Sequence, residues 1–159
     1  MSNYTWNPVY NMVMEIKQKY QNQFNSIDYH TYTYTDENNI KKEIDKKQSS
    51  NVPYFYEREV WWCSLGLNVG WEQDGKNGLY SRPVVIIKIF TRELLWGIPL
   101  TTKERQGKHY HQYKYQNKVY TAILSQLRGL STRRLIRKVG KVPETDFNKM
   151  KKRLINLFK

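Results

Sequence analysis

The sequence has little of what disulfides, metal centres and membrane spans require. Its single cysteine, Cys63, excludes a disulfide framework and a thiolate metal site within the chain. The longest clearly apolar runs, such as residues 84–87, are far too short to cross a bilayer. The first residues lack the basic and apolar regions of a signal peptide. We therefore expect a cytoplasmic protein that does not contact a membrane.

Sequence patterns for phosphate loops and metal clusters are also missing. The glycines between residues 66 and 78 are followed neither by a Gly-Lys-Ser/Thr pattern nor by the start of a helix. His109 and His111 would share one face of a strand, but no third ligand stands at a suitable spacing. Cys63 lies in an apolar, tryptophan-rich segment, where a thiol is typically inert. We expect no metal and no cofactor.

Positive charge is abundant, and it is confined to the last third of the chain. Residues 1–100 contain eleven Lys and Arg and eleven Asp and Glu, whereas residues 101–159 contain sixteen and three, which gives the whole net charge of +13. Clustered positive charge attracts polyanions because neutralising phosphates releases counterions. We interpret this region as a polyanion-binding surface, and a merely solubilising basic face is the alternative.

The spacing of apolar residues divides the chain into three regions. Residues 1–28 predict an amphipathic helix, and residues 29–54 are interpreted as a polar linker or extension, although residues 29–35 alternate and also fit a strand. Residues 55–159 predict strands at 57–65, 82–90, 94–100, 109–115, 119–124 and 126–130, then a short helix capped by Ser131 and a final helix capped by Thr145. Closely spaced short strands favour a small, strongly curved β-barrel. The predicted fold class is mainly β with helices.

Two strand ends carry polar groups suited to phosphate chemistry. Arg82 begins the hydrophobic strand at 82–90, while Thr101 and Thr102 end the strand that follows it. A guanidinium fork matches phosphate oxygens, and a threonine hydroxyl can donate a hydrogen bond to them. If both ends meet at one rim, they form a phosphodiester site. An ordinary surface arginine is the alternative.

Five motifs in order resemble the MazF/PemK family of toxins from type II toxin–antitoxin systems. The resemblance covers about residues 55–158 and implies a small SH3-like barrel of the CcdB/MazF type with a C-terminal helix. It also implies a homodimer that cleaves single-stranded RNA without metal and binds a cognate antitoxin. The motifs are Arg58-Glu59-Val60-Trp61-Trp62, Gly70-x-Glu72-Gln73-x-Gly75, Arg82-Pro83-Val84-Val85-Ile86-Ile87, Pro99-Leu100-Thr101-Thr102 and Ile123-Leu124-Ser125-Gln126-Leu127-Arg128, which is followed by Arg134-Leu135.

The resemblance implies particular roles for the matching residues. Arg82 and Thr101 take the catalytic positions, where arginine stabilises developing charge and threonine holds an oxygen in line. Glu72 and Gln73 fall on the loop beside the RNA cleft and, with Thr102, are candidates for proton transfer or for lining the cleft. The general base stays open among Glu72, His109 and His111.

RNA contacts are expected from cationic and aromatic side chains and from one glutamine. We predict that Gln126, Arg128, Lys103, Arg105 and Trp71 bind RNA. Further candidates for stacking on unpaired bases are Tyr80, Tyr110 and Tyr113. The expected electrostatic track includes Lys103, Arg105, Lys108, Lys114, Arg128, Arg133, Arg134, Arg137 and Lys138.

The sequence also departs from the family pattern and leaves alternatives open. Arg58 stands where glycine is common, Lys88 replaces a small polar residue, and eight residues separate the Glu-Gln pair from Arg82. The first 50 residues have no counterpart in compact members, and their helix either covers the barrel's groove or dimer surface or packs permanently on the outside. The alternative function is a non-catalytic member that binds nucleic acid or a protein target such as gyrase, and a DNA-binding regulator is a third hypothesis.

Overall fold

The structure, a computed structural model, describes residues 34–76 and 80–159. The helix predicted at 1–28 and most of the strand considered at 29–35 lie outside these residues. None of the described helices is long and apolar enough to cross a membrane. The elements are α1 (Tyr34–Lys46), β1 (Glu59–Ser64), β2 (Ser81–Ile89), β3 (Leu94–Thr101), β4 (Tyr110–Tyr115), β5 (Lys118–Ile123), β6 (Arg128–Ser131), β7 (Leu135–Lys141) and α2 (Glu144–Asn156), with 3-10 turns at Ser49–Asn51, Leu124–Gln126 and Thr132–Arg134.

The seven strands form one antiparallel sheet in the order β4-β5-β3-β2-β1-β7, with β6 paired to β3. Strand β3 shares one edge with β2, while its opposite edge pairs first with β6 and then, at Leu100 and Thr101, with β5. The predicted mainly β fold with a C-terminal helix and a helical extension is confirmed. The barrel is an open one, because no pairing within the described residues joins β4 to β7.

Strand β2 separates two hydrophobic cores. Its β-branched run alternates, so that Val85 and Ile87 face one core and Val84 and Ile86 face the other. The prediction of a strand buried on both faces is therefore confirmed, since all four residues are at most 4% exposed. The first core includes Val60, Ile98, Leu100, Val142, Phe147, Met150 and Leu154, and the second includes Trp61, Cys63, Leu65, Leu95, Leu130 and Leu135.

Within the segment at 29–54, interpreted as a polar linker or extension, residues 34–46 form helix α1. The segment has few apolar residues, and ion pairs along the helix replace an apolar stripe. Glu37 pairs with Lys41 at 2.7 Å, and Glu43 pairs with Lys46 at 2.8 Å. Such pairs at i,i+3 and i,i+4 stabilise a helix without the periodic signal on which the linker interpretation depended.

Two further predictions near the C-terminus need correction. The helix predicted after Ser131 is only a single 3-10 turn at Thr132–Arg134, in which the Ser131 hydroxyl accepts from the Arg133 backbone N–H at 3.4 Å. The chain then pairs with β1 along residues 135–141, and two register shifts interrupt that pairing. Helix α2 begins at Glu144 with Pro143 at the cap, so Thr145 is not its cap.

The backbone of Arg58 explains why glycine suits this position. Its φ of 74° lies in the left-handed region, and its guanidinium compensates by donating to Val142 O at 3.3 Å and to Glu144 Oε2 at 3.0 Å. Arg58→Ala and Arg58→Gly both lose these bonds, but only glycine relieves the left-handed strain. We expect the glycine variant to be more stable than the alanine variant by about 1 kcal/mol. Urea titration measures the difference, and equal stabilities would contradict this explanation.

Candidate active site

A cleft of about 340 Å³ opens where the β4–β5 hairpin faces strands β1 and β7. Arg82 from the start of β2 and Thr101 from the end of β3 both line it, as does Thr102. Lysines and aromatic residues make up much of the remaining wall. They are Trp62, Lys76, Tyr113, Tyr115, Lys118, Tyr120 and Lys141.

Arg82 and Thr101 reach the cleft from neighbouring strands. Strands β2 and β3 pair as far as Val84 and Pro99, and Arg82 and Thr101 each lie two residues beyond this last pair, toward the same end of the sheet. The two residues that the sequence singled out, nineteen positions apart in the chain, both line the cleft.

The guanidinium of Arg82 is held by the loop that precedes β2. Its Nε donates to the Asp74 carbonyl oxygen at 2.8 Å. Burial lowers the pKa of Arg82, and the nearby Asp74 carboxylate partly opposes this shift. An arginine nevertheless stays protonated in proteins, so the group is a fixed cation and not a general base. Within the described part of the chain its two terminal amino groups make no hydrogen bond, which leaves them for phosphate oxygens.

The hydroxyl of Thr101 is anchored by the backbone. Its Oγ1 accepts from the Lys103 backbone N–H at 3.1 Å, and the residue is partly buried. A hydroxyl has one proton and two lone pairs, so a bond accepted by one lone pair still allows the O–H to act as a donor. This arrangement suits contact with a non-bridging phosphate oxygen.

The loop of residues 66–76 carries the Glu-Gln pair next to the cleft. Trp71 at its tip is 96% exposed, and Glu72 is exposed but does not line the cleft. Gln73 donates its backbone N–H to Gln126 Oε1 at 3.2 Å, and Gln126 Nε2 donates to the Trp71 carbonyl at 3.2 Å. The Gln126 amide thus holds the backbone of this loop.

A known family matches the segment that contains the sheet and α2. The model for the PemK-like, MazF-like toxin of type II toxin–antitoxin systems matches residues 56–158. The chain belongs to this family. The match confirms the resemblance indicated by the five motifs, and comparison with curated proteins gives no match.

Solved structures share the fold of this MazF-like chain. The crystal structure of MazF from Deinococcus radiodurans aligns with a TM-score of 0.54 at 16% identity, covering 67% of this chain and 98% of that one. A structure described as an endoribonuclease in complex with its cognate antitoxin, from a mycobacterial species, aligns with a TM-score of 0.52 at 17% identity, covering 66% and 95%. At these identities the likeness shows a common fold.

Several cations predicted to contact RNA have protein partners in this MazF-like chain. Arg128 donates to Asn68 Oδ1 at 3.3 Å, and Arg134 donates to the Ser64 carbonyl at 2.9 Å. Lys138 pairs with the buried carboxylate of Glu59. The pKa of Glu59 is lowered overall. Burial alone would raise it, but hydrogen bonds from Lys138, from the Trp61 indole and from the Tyr56 backbone outweigh the effect of burial. Lys103 and Arg105 are exposed and do not line the cleft.

Some side chains considered for proton transfer or stacking lie elsewhere. Tyr80 is 2% exposed, so the prediction that it stacks on RNA bases is wrong. His111 is buried with its Nε2 3.7 Å from Asp146 Oδ1 on α2, and burial lowers its pKa. Neither His111 nor the exposed His109 lines the cleft. Cys63 is fully buried, which raises its thiol pKa to about 12, in agreement with an inert role.

Parts of the cleft in this MazF-like chain were not predicted. Trp62 lines it, with the Arg137 guanidinium 5.8 Å from its ring centroid, and Lys118 and Lys141 add charge. The alternation of β1 was available as a signal, because Trp62 shares the face of the core residue Val60. Lys141 lies in β7. Because the sequence pattern did not predict this strand, it gave no reason to expect Lys141 in the cleft.

Proposed function

We propose that the protein is a metal-independent endoribonuclease that cleaves single-stranded RNA as the toxin of its toxin–antitoxin system. The observation that supports this function best is that Arg82 and Thr101 line the same cleft. The 2′-hydroxyl would lose its proton as its oxygen attacks the adjacent phosphorus, and the 5′-oxygen would take up a proton as its bond to phosphorus breaks. The products are a 2′,3′-cyclic phosphate and a 5′-hydroxyl.

Arg82 and Thr101 act on the phosphate in this proposal. The terminal amino groups of Arg82 bind the non-bridging oxygens, whose charge grows as the pentacovalent state forms, and Thr101 donates to the same group. Because Nε is already bonded to Asp74 O at 2.8 Å, the guanidinium is oriented before substrate arrives. Preorganised donors of this kind stabilise the transition state more than the ground state.

Charge stabilisation carries more of the proposed catalysis than side-chain proton transfer. Among the described residues that line the cleft there is no carboxylate and no imidazole. The lining cations Lys76, Lys118 and Lys141 supply positive charge around the scissile phosphate instead. Glu72, Gln73 and Thr102 remain proposals for proton transfer or cleft contact, with Thr102 the one that lines the cleft.

The aromatic wall of the cleft suits unpaired bases. Trp62, Tyr115 and Tyr120 line it, and stacking contributes about 1–3 kcal/mol per base in single-stranded complexes. Trp71, which is almost fully exposed, offers a further stacking surface on the 66–76 loop. We propose that Gln126, Arg128, Lys103 and Arg105 contribute along the flanking RNA.

We also propose that the protein forms a homodimer in the cytoplasm and is inhibited by a protein antitoxin. Membership in a family of type II toxins supports an antitoxin partner. A structure of the same fold is described as an endoribonuclease in complex with its cognate antitoxin.

Cleavage of single-stranded RNA in excess EDTA tests the proposed function. We expect fragmentation to persist, because the cleft supplies its charge from side chains. Mass spectrometry of the fragments should find 2′,3′-cyclic phosphate and 5′-hydroxyl ends. Cleavage only after metal is added, or 5′-phosphate ends, would reject this chemistry. RNA binding without scission, or inhibition of gyrase, would favour the non-catalytic alternative.

A further inference from the structure

The 66–76 loop is closed by hydrogen bonds that end at Arg82. Asn68 donates its backbone N–H to Asp74 Oδ1 at 2.6 Å and its side-chain amide to the Gln73 carbonyl at 2.9 Å. These bonds fix the arm of the loop that carries the Asp74 carbonyl, which accepts from Arg82 Nε at 2.8 Å. The direction of the guanidinium therefore depends on where residue 68 is held, together with the Gln126 amide that holds Trp71 and Gln73.

A carboxylate from helix α1 holds the chain next to Asn68. Glu37 is 4% exposed, and its Oε1 accepts from the Leu67 backbone N–H at 3.0 Å and pairs with Lys41 Nζ at 2.7 Å. Gly66 makes room for it, because a Cβ at that position would lie 2.6 Å from Glu37 Oε1. Gly66 also has a φ of +80°, a conformation that favours glycine. The contact between α1 and the loop is thus closely fitted.

The helix that carries Glu37 is itself fixed at its far end. Arg133 donates to the Asp45 carbonyl at 2.7 Å and to its carboxylate at 3.4 Å, while Lys47 Nζ donates to the Arg133 carbonyl at 3.2 Å. Contacts at both ends of α1 give Glu37 a defined position relative to the sheet. A buried carboxylate with two partners can therefore set the position of the loop.

We propose that Glu37 is a positioning residue for Arg82. It acts through Leu67, the Asn68–Asp74 bond and the Asp74 carbonyl, so that the helix added before the MazF-like region aligns the guanidinium in the cleft. This inference rests on the proposed function. Because misalignment weakens contacts made in the transition state more than RNA binding along the surface, it lowers kcat more than it changes KM.

Three variants of Glu37 and one control measure this effect on RNA cleavage. Glu37→Ala should lower kcat about tenfold to hundredfold, the cost of a small misplacement, with KM changed less than about twofold. Glu37→Gln keeps an oxygen for Leu67 and should recover most of the rate, whereas Glu37→Asp withdraws the carboxylate and should not. Glu43→Gln is the matched control on the same helix, where the side chain is 71% exposed, and should behave as wild type.

An NMR measurement tests the same inference without RNA. The Arg82 Nε–H should exchange slowly in the wild type and in Glu43→Gln, and faster in Glu37→Ala and Glu37→Asp. Exchange and kcat unchanged in a folded Glu37→Ala would overturn the inference, as would a fall in kcat that leaves the Arg82 exchange rate unchanged. If Glu37→Ala does not fold, Glu37→Asp decides by the same two criteria. A wild type that fails to cleave RNA would overturn the proposed function instead, and the exchange rates would still decide the role of Glu37.

Discussion

Arg82→Ala is expected to slow RNA cleavage about 10²–10³-fold, the usual cost of losing one preorganised donor to a developing oxyanion. The variant removes both the charge and the terminal amino groups that the Asp74 carbonyl orients. Single-turnover kinetics should show the loss in the rate constant of the cleavage step, with a smaller change in RNA affinity. Arg82→Lys keeps the charge without the planar fork, so we expect it to restore only part of the rate.

Arg92→Ala provides the matched control for this experiment. Arg92 is exposed after β2, donates to the Val52 carbonyl at 3.4 Å and does not line the cleft. We expect its alanine variant to cleave RNA as the wild type does. If Arg82→Ala and Arg92→Ala cleave at the same rate, Arg82 does not act on the phosphate, and the proposed active site is wrong.

Phe147→Ala is expected to lower the free energy of unfolding by about 3–5 kcal/mol, the range for removing a buried phenylalanine ring. Phe147 is 4% exposed and joins α2 to the core formed by one face of the sheet. At about 2–4 °C per kcal/mol for a chain of this size, the melting temperature should fall by roughly 6–20 °C. Thermal and urea unfolding followed by circular dichroism measure both quantities.

Phe158→Ala is the control for the core substitution. Phe158 lies just beyond α2 and is 80% exposed, so the same change there removes little buried surface. We expect its melting temperature to remain close to that of the wild type. If the melting temperature of Phe147→Ala falls no further than that of Phe158→Ala, α2 does not depend on Phe147 for its packing.

The fold was most predictable where local sequence and tertiary environment agree. Strand β2 was found from its β-branched run, because burial on both faces requires apolar residues at every position. Strand β7 was missed because most of its residues are exposed and bulges break its alternation, so its pairing with β1 is a long-range property. Helix α1 was missed because its segment has few apolar residues, and the contact that Glu37 makes with the Leu67 backbone lies thirty residues away in the chain.

The candidate site was predictable to the extent that its residues stand at strand ends. Arg82 and Thr101 were recognised from their motifs, and the pairing of β2 with β3 brings both residues to one cleft. Gln126 is predicted to contact RNA, and its amide also holds the backbone of the 66–76 loop, a contact that no local pattern encodes. The cleft lysine Lys141 depended on knowing that β7 is a strand.

The burial of Cys63 has a practical consequence for spectroscopy. The chain has no other cysteine, and this thiol is fully enclosed with its pKa raised to about 12, so it reacts poorly with maleimide dyes at neutral pH. A cysteine introduced at Val69, which is 84% exposed on the 66–76 loop, can therefore be labelled selectively in the otherwise native chain. Fluorescence from that dye would follow the loop in real time as RNA enters and leaves.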